Sequence, residues 1–433
     1  MANSILWRIM KDSGIDWIGK IPDEWEIYQL SQIATQVKNK NNNLQERNLL
    51  SLSYGKIKRK NIDSSDGLLP ASFDGYNIIE NEDIVLRLTD LQNDHTSLRV
   101  GRATEKGIIT SAYTTLRPIN KDNSRFLYYL LHAFDLKKGF YGMGAGVRQG
   151  LNYSEVKSLK IILPDDKSEQ TKIAGFLDKK CSEIDSIIEE SKKSIEEYKA
   201  WKQSVIFEAV TGKNLSCKKK NSGIEWISEI PETWEVKRLK CIIDSFEKGN
   251  GITKEEVFPD GDTFCVRYGE IYSKYDNSFE NCFSKTFKDK IPVKKYFSNG
   301  GLLFVGTGEL VEEIGKCVAY LGNEQCLAGG DIIIAKHKQN AKFLSYAMNS
   351  HYVQAQKSCN KAKLKVVHIS ATEIGNVLLA LPPISEQESI AKFLDAKCAQ
   401  IDSLISEKQS LIKDLAEYKK SLIFEAVTGK RRV

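Results

Sequence analysis

The residues best suited to chemistry lie in one glycine-rich stretch, Tyr141-Gly-Met-Gly-Ala-Gly-Val-Arg-Gln-Gly150. Glycines let a backbone come close to a phosphate or a base edge. Arg148 has the geometry to make two hydrogen bonds to guanine, and Gln149 two to adenine. The stretch lacks the G-x-x-x-x-G-K-[ST] spacing of a P-loop, and a plain surface loop has the same composition. Two basic clusters point the same way: Lys56, Lys58, Arg59 and Lys60 in one, Lys361, Lys363 and Lys365 in the other. Such side chains neutralise backbone phosphates and release counterions, although a solvated face also carries runs of charge.

Other chemistry finds less support. Phe304-Val-Gly-Thr-Gly308 fits the F-x-G-x-G pattern found around the S-adenosylmethionine pocket of adenine methyltransferases. The [DNS]-P-P-[YFW] motif that holds the target amine in those enzymes does not occur, so a strand followed by a glycine turn is the simpler explanation. No H-E-x-x-H, G-x-S-x-G or clear P-D-x(n)-[DE]-x-K pattern is found. The nine cysteines form no C-x-x-C pair, and the five histidines do not gather near them. Reduced cysteines in cores and on surfaces are therefore expected, with no structural zinc and no disulfide framework.

The elements that must carry these residues follow from length and repetition. A chain of 433 residues predicts two to three domains. Hydrophobic residues make up 41%, charged residues 28%, and the net charge is +6, which excludes a disordered or collagen-like chain. No apolar run approaches the ~20 residues of a membrane helix. Met1–Asp12 has no signal-peptide core, so a cytoplasmic location is expected.

The chain repeats itself. Residues 11–30 and 220–239 share 11 of 20 positions, and residues 168–213 and 385–430 share 26 of 46 without a gap, including the whole of I-F-E-A-V-T-G-K. Between the repeats lie two blocks, about 31–163 and 240–381, with no obvious sequence in common. Repeated parts form a common frame; divergent parts perform two versions of one job. The blocks read as mixed α/β, with strands at Ile84–Leu86, Ile108–Ile109, Leu302–Val305 and Ile332–Ile334, and short helices near Arg125–Phe134 and Lys342–Tyr352.

Each long repeat predicts one helix, about 65 Å long at ~1.5 Å per residue. Ser168 and Ser385 stand at N-cap positions, Ser385 forming a capping box with Glu388, and Gly212 and Gly429 mark the C-terminal stops. A 3.5-residue apolar period runs from Leu177 to Ala209 and from Leu394 to Ala426, the pattern of a coiled coil. Ser191, Lys202, Lys408 and Lys419 interrupt the seams, either as register-setting contacts or as stems reaching solvent. The two helices are expected to pair with each other, antiparallel, in a pseudo-two-fold arrangement. The alternative is that each packs on its own domain.

The repeated W-I-[GS]-x-I-P-x-x-W-E-x-x-x-L entry, the S-E-Q…I-A-x-F-L-D…I-D helix starts and the I-F-E-A-V-T-G-K ends resemble the specificity (S) subunit of bacterial type I restriction–modification systems. The resemblance covers almost the whole chain. It implies an α+β fold with two mixed α/β target recognition domains joined by two long helices in an antiparallel coiled coil. It divides the chain into a frame segment (1–30), recognition domain (31–163), central spacer helix (164–219), second frame segment (220–239), second recognition domain (240–381) and C-terminal spacer helix (382–433). It implies a non-catalytic subunit that binds a bipartite, asymmetric site in double-stranded DNA, with the helices as a ruler between half-sites. The partners implied are two methyltransferase (M) subunits, which bind S-adenosylmethionine and methylate adenine N6, and restriction (R) subunits, which cleave using ATP and magnesium. This chain itself needs no cofactor.

Candidate DNA contacts on that reading are Arg87, Arg99, Arg102, Tyr113, Arg148 and Gln149 in the first block, and Arg267, Thr307, Lys361, Lys363, Lys365 and His368 in the second. Tyr113 suits a core equally well, and His368 a cap or packing contact. Trp17, Trp25, Trp226 and Trp234 read as packing anchors before docking residues. Two rival readings remain: a self-contained methyltransferase or nuclease, and a coiled-coil scaffold that binds only protein.

Overall fold

A computed structural model describes residues 8–63, 70, 72–91, 94, 96, 98–143, 150–359, 361 and 366–433. The chain divides into two compact units. One is Met1–Lys192 together with Ser410–Val433; the other is Lys193–Gln409. Among the described residues no helix is long and apolar enough to cross a membrane.

The first unit is built on a four-stranded antiparallel sheet in the order Ala34–Gln36, Thr114–Pro118, Ile84–Leu86, Val100–Arg102. The helix Ser124–Leu136 buries Phe126, Leu127, Leu130 and Leu131 in the main core of this unit. In the second unit Ile243–Lys248, Ile332–His337, Leu302–Val305 and Cys317–Tyr320 stand in the same order, extended at one edge by the parallel strand Ser278–Phe279. Ile84 faces Arg102 in one sheet, and Leu302 faces Ala319 in the other. Two blocks without visible sequence similarity thus share one scaffold, because interior strands demand only apolar residues of suitable shape.

The sequence repeats form the frame of each unit. Trp25–Gln29 pairs antiparallel with Lys160–Pro164, and Glu235–Arg238 with Leu378–Leu381, so each short repeat pairs with the strand that leads into a long helix. Trp25 and Trp234 are fully buried. Their indole N–H groups donate to equivalent glutamates near the starts of the long helices, Glu169 at 3.3 Å and Glu386 at 2.8 Å. A buried indole N–H needs such a partner. Trp17 is half-buried against Phe134, while Trp226 is exposed.

The long helices span Lys167–Thr211 and Ile384–Val427. Both start earlier than the serines suggest. Asp166 accepts hydrogen bonds from the Ser168 N–H and hydroxyl, so the stronger carboxylate acceptor displaces Ser168 as the cap. Pro383 offers its carbonyl to Glu386 and Gln387, leaving Ser385 inside the helix. Gly212 and Gly429, at φ +68° and +69°, close the C-termini. Lys213, directly after Gly212, bonds back to Glu208, and Arg431, two residues after Gly429, bonds back to Glu425.

Within each unit the start of one long helix lies beside the end of the other. The first unit packs Ile173, Leu177, Cys181 and Ile184 in one core with Leu422, Ile423, Ala426 and Val427. The second packs Ile206, Ala209 and Val210 with Ala391, Leu394 and Cys398. Within each unit, therefore, these parts of the predicted apolar seams do face each other. Lys202 and Lys419 do not reach solvent freely: each ends on an aspartate of the opposite helix segment, Asp402 and Asp185.

Candidate nucleic-acid interface

In the first unit, the turn that follows strand Ile84–Leu86 is the centre of the candidate surface. Leu88 accepts from the Leu151 N–H at 2.8 Å, which sets the exit of the glycine-rich stretch against this turn. Arg148 and Gln149 themselves lie outside the described residues. Arg87 stands beside Asp94 at 3.4 Å and remains partly accessible.

Arg99 departs from the sequence expectation. It is 0% exposed. Its guanidinium donates to the carbonyls of Arg87 (3.1 Å), Thr89 (2.7 Å), Asp90 (3.1 Å) and Asp94, and to the Tyr141 hydroxyl (2.9 Å). No N–H is left to meet a phosphate, so the guanidinium spends its donors inside the fold. Arg102 is also committed: it donates to Glu82 at 2.8 Å and lies 4.0 Å from Asp178. Tyr113 packs against the small apolar cluster of Leu50, Leu52 and Ile79, the core alternative anticipated for it.

The first basic cluster rides on the hairpin Leu50–Ser53/Lys56–Arg59. Arg59 pairs with Glu105 at 2.7 Å and Lys56 with Asp185 at 3.2 Å. Lys58 and Lys60 are exposed.

In the second unit the structure brings three predicted residues together. Thr307 and His368 face each other on a short antiparallel ladder, with the Thr307 hydroxyl 3.1 Å from His368 Nδ1. Lys361 donates to the His368 carbonyl at 2.6 Å and to Glu373 at 2.8 Å. Lys361 and the Ser370 cap bring the Glu373 carboxyl down to about 2, against a smaller opposing effect of burial. Beside this ladder is a cavity of about 360 Å³ lined by Lys248, Asp331 and Ser370 as well as Thr307 and His368. Lys363 and Lys365 lie outside the described residues. Arg267 precedes the helix Tyr268–Ser273 and pairs with Glu270 at 3.4 Å. Phe304, from the glycine pattern, is buried in the strand Leu302–Val305, interior to the five-stranded sheet.

Sequence reasoning missed the contacts that tie each recognition block to its helices. Arg125 and Tyr129 both bond Asp178; Lys342 and Tyr346 both bond Asp395. The spacing is identical in the two copies, 53 residues for the cation and 49 for the tyrosine. That shared spacing upstream of a repeated aspartate was the available signal.

Residues 22–197 and 231–414 match the type I restriction modification DNA specificity domain. The chain belongs to this family. It is similar to the type I restriction enzyme MjaVIII specificity subunit of Methanocaldococcus jannaschii, at 24% identity over 96% of this chain and 94% of that protein. The putative MjaX specificity subunit of the same organism is 26% identical, with 96% of each chain covered. Among solved structures, a chain from work on complex assembly and conformational transition of the type I R-M system superposes with a TM-score of 0.70 at 14% identity, covering 95% of this chain and 99% of that one. The HsdS subunit from Thermoanaerobacter tengcongensis superposes at 0.54, also at 14% identity, covering 95% and 98%. The chain is a DNA sequence-specificity subunit of the type I restriction–modification class.

Proposed function

We propose that each unit recognises one half of a split, asymmetric DNA site and that the chain performs no chemistry of its own. The observation that carries this reading is the pairing of one repeated scaffold with two unrelated sets of loops. A repeated frame suits two copies of the same partner. Divergent loops suit two different base sequences. Phosphate contacts position the chain, and side chains from the loops read bases in the major groove.

The partners are two methyltransferase subunits, which supply S-adenosylmethionine and methylate an adenine extruded from the stack in each half-site. Restriction subunits add ATP- and magnesium-dependent cleavage. Exposed apolar side chains at equivalent helix positions support two like docking surfaces. The first unit presents Ile187 and Tyr418; the second presents Leu404 and Trp201. Large exposed apolar groups arranged this way mark protein contacts.

The test is co-expression with the methyltransferase subunit of the same system, followed by mapping of methylated adenines at single-base resolution. A split motif that needs both proteins is the expected result. Methylation by this chain alone would overturn the non-catalytic assignment.

A further inference from the structure

Arg99 poses a physical problem. A guanidinium with no solvent exposure is expensive to bury, and its side chain donates to four backbone carbonyls and a tyrosine hydroxyl. Those partners have one thing in common. The carbonyls belong to the turn after strand Ile84–Leu86, and Tyr141 is the first residue of the glycine-rich stretch. Its ring also lies under the guanidinium, 4.9 Å from centroid to Cζ, and its hydroxyl bonds the Asp94 carbonyl at 2.9 Å. The other flank of the stretch, Leu151, is held by Leu88 of the same turn. Both ends of the stretch are therefore anchored on one turn, with Arg99 beneath it.

The second unit meets the same need with different residues. Its equivalent turn follows strand Leu302–Val305. Helix His351–Ser358 ends beneath it and donates to its carbonyls: Gln354 to Val311 (3.3 Å) and Ile314 (3.2 Å), Lys357 to Gly315 (2.9 Å), and Ser358 to Val311 (3.0 Å). Lys357 is 3% exposed, again a cation buried on a backbone carbonyl. The helix leads directly into the second basic cluster. The far flank of that cluster returns to the turn through the Thr307–His368 ladder and the Ile369 N–H on the Gly306 carbonyl at 2.9 Å. Two unrelated sequences thus build one arrangement: the turn after the equivalent strand is tied to Tyr141 and Leu151 in one unit and to His368 and Ile369 in the other, and it is fixed by one buried cation, Arg99 or Lys357, joined in the second unit by the half-buried Gln354 and Ser358.

We propose that Arg99 in the first unit, and Gln354, Lys357 and Ser358 in the second, are positioning residues for sequence specificity, holding the turns that follow strands Ile84–Leu86 and Leu302–Val305 in place for base reading without touching DNA. The proposal rests on the reading that each unit recognises one half-site. Donors that fix backbone carbonyls preorganise a binding turn, and a small loss of placement weakens discrimination before it weakens folding.

The experiment uses the chain co-expressed with its methyltransferase partner and reads methylated adenines across host DNA. Arg99→Lys keeps the charge but loses the fork of donors; Arg99→Met removes both. Each is expected to lower base preference about ten-fold or more at one or more positions of the first half-site, with the second half-site and the gap unchanged. The double variant Gln354→Leu/Ser358→Ala, which spares Lys357, is expected to relax the second half-site alone. If Arg99→Met abolishes all methylation through misfolding, Arg99→Lys and the double variant decide the matter. Weaker methylation with both half-sites intact would overturn the proposal, because a purely structural role lowers yield without changing the motif. A wild-type complex that methylates with no split motif would overturn the half-site reading and this proposal with it.

Discussion

Lys419 donates a hydrogen bond to Asp185 at 2.6 Å, and its counterpart in the repeat, Lys202, donates to Asp402 at 2.8 Å. The two pairs occupy equivalent places in their units. Burial opposes ionisation of Asp185, but the bond to Lys419 wins and holds its carboxyl below the usual range. Burial likewise opposes the charge on Lys202, and Asp402 and Asp276 outweigh it. Lys419→Met removes the closer of its two partners and leaves the half-buried carboxylate with the exposed Lys56 alone. The expected cost is about 1–2 kcal/mol, below that of a fully buried pair because both groups keep some water. A double-mutant cycle on urea midpoints measures it, and the Lys202–Asp402 pair should give a similar coupling.

His132 sits beside this pair, stacked on Tyr128 and nearly sealed from water. Burial, reinforced by the Lys419 charge and opposed by Asp185, pushes its imidazole down to about 4. Between pH 6.5 and about 4 the unfolded chain binds this proton and the folded chain does not. Stability of the first unit should therefore fall as pH drops through that window, by roughly 3 kcal/mol in total. In His132→Gln the contribution disappears and the slope of stability against pH flattens. Urea midpoints at pH 7, 5.5 and 4.5 supply the comparison.

The repeated tryptophans should separate into two classes. Trp234→Ala empties a fully buried site and strips Glu386 of its donor, at about 3–5 kcal/mol. Trp226→Ala, at an exposed position, should change stability by under ~1 kcal/mol. Thermal unfolding of the purified chain distinguishes them.

Gly429→Ala tests how the chain end is seated. The glycine has φ +69°, and a Cβ there would lie 2.3 Å from Pro22 Cγ. Both strain and clash act, so a loss of more than ~1 kcal/mol is expected. The readout is protease sensitivity of the last residues together with the melting temperature of the first unit.

A length change in the first long helix tests the proposed ruler. Adding one turn, about four residues, after Ser191 advances the helix by ~5.4 Å. The methylated motif should keep both half-sites and widen its unspecified gap by one or two base pairs. Changed half-sites with an unchanged gap would contradict this division of labour.

Much of the frame was legible from residues alone. The duplicated segments announced two copies of one design. The 3.5-residue period announced helices that need a partner, and Gly212 and Gly429 marked their ends. These signals are local, since capping, period and glycine conformation act within a few residues of each other. That the two recognition blocks share one strand order was not legible. A shared strand order places apolar residues at corresponding depths without asking for the same residues, so Ile84–Leu86 and Leu302–Val305 match in space while their surroundings diverge. Nor could the sequence separate an arginine that meets solvent from one that holds a fold. Arg87 and Arg99 carry the same charge twelve residues apart, yet one is partly accessible and the other spends its donors on buried carbonyls. Local pattern determined which helices and repeats this chain would form. Only tertiary structure decided which cations remained accessible, because burial and hydrogen-bond supply are set by neighbours distant in the chain.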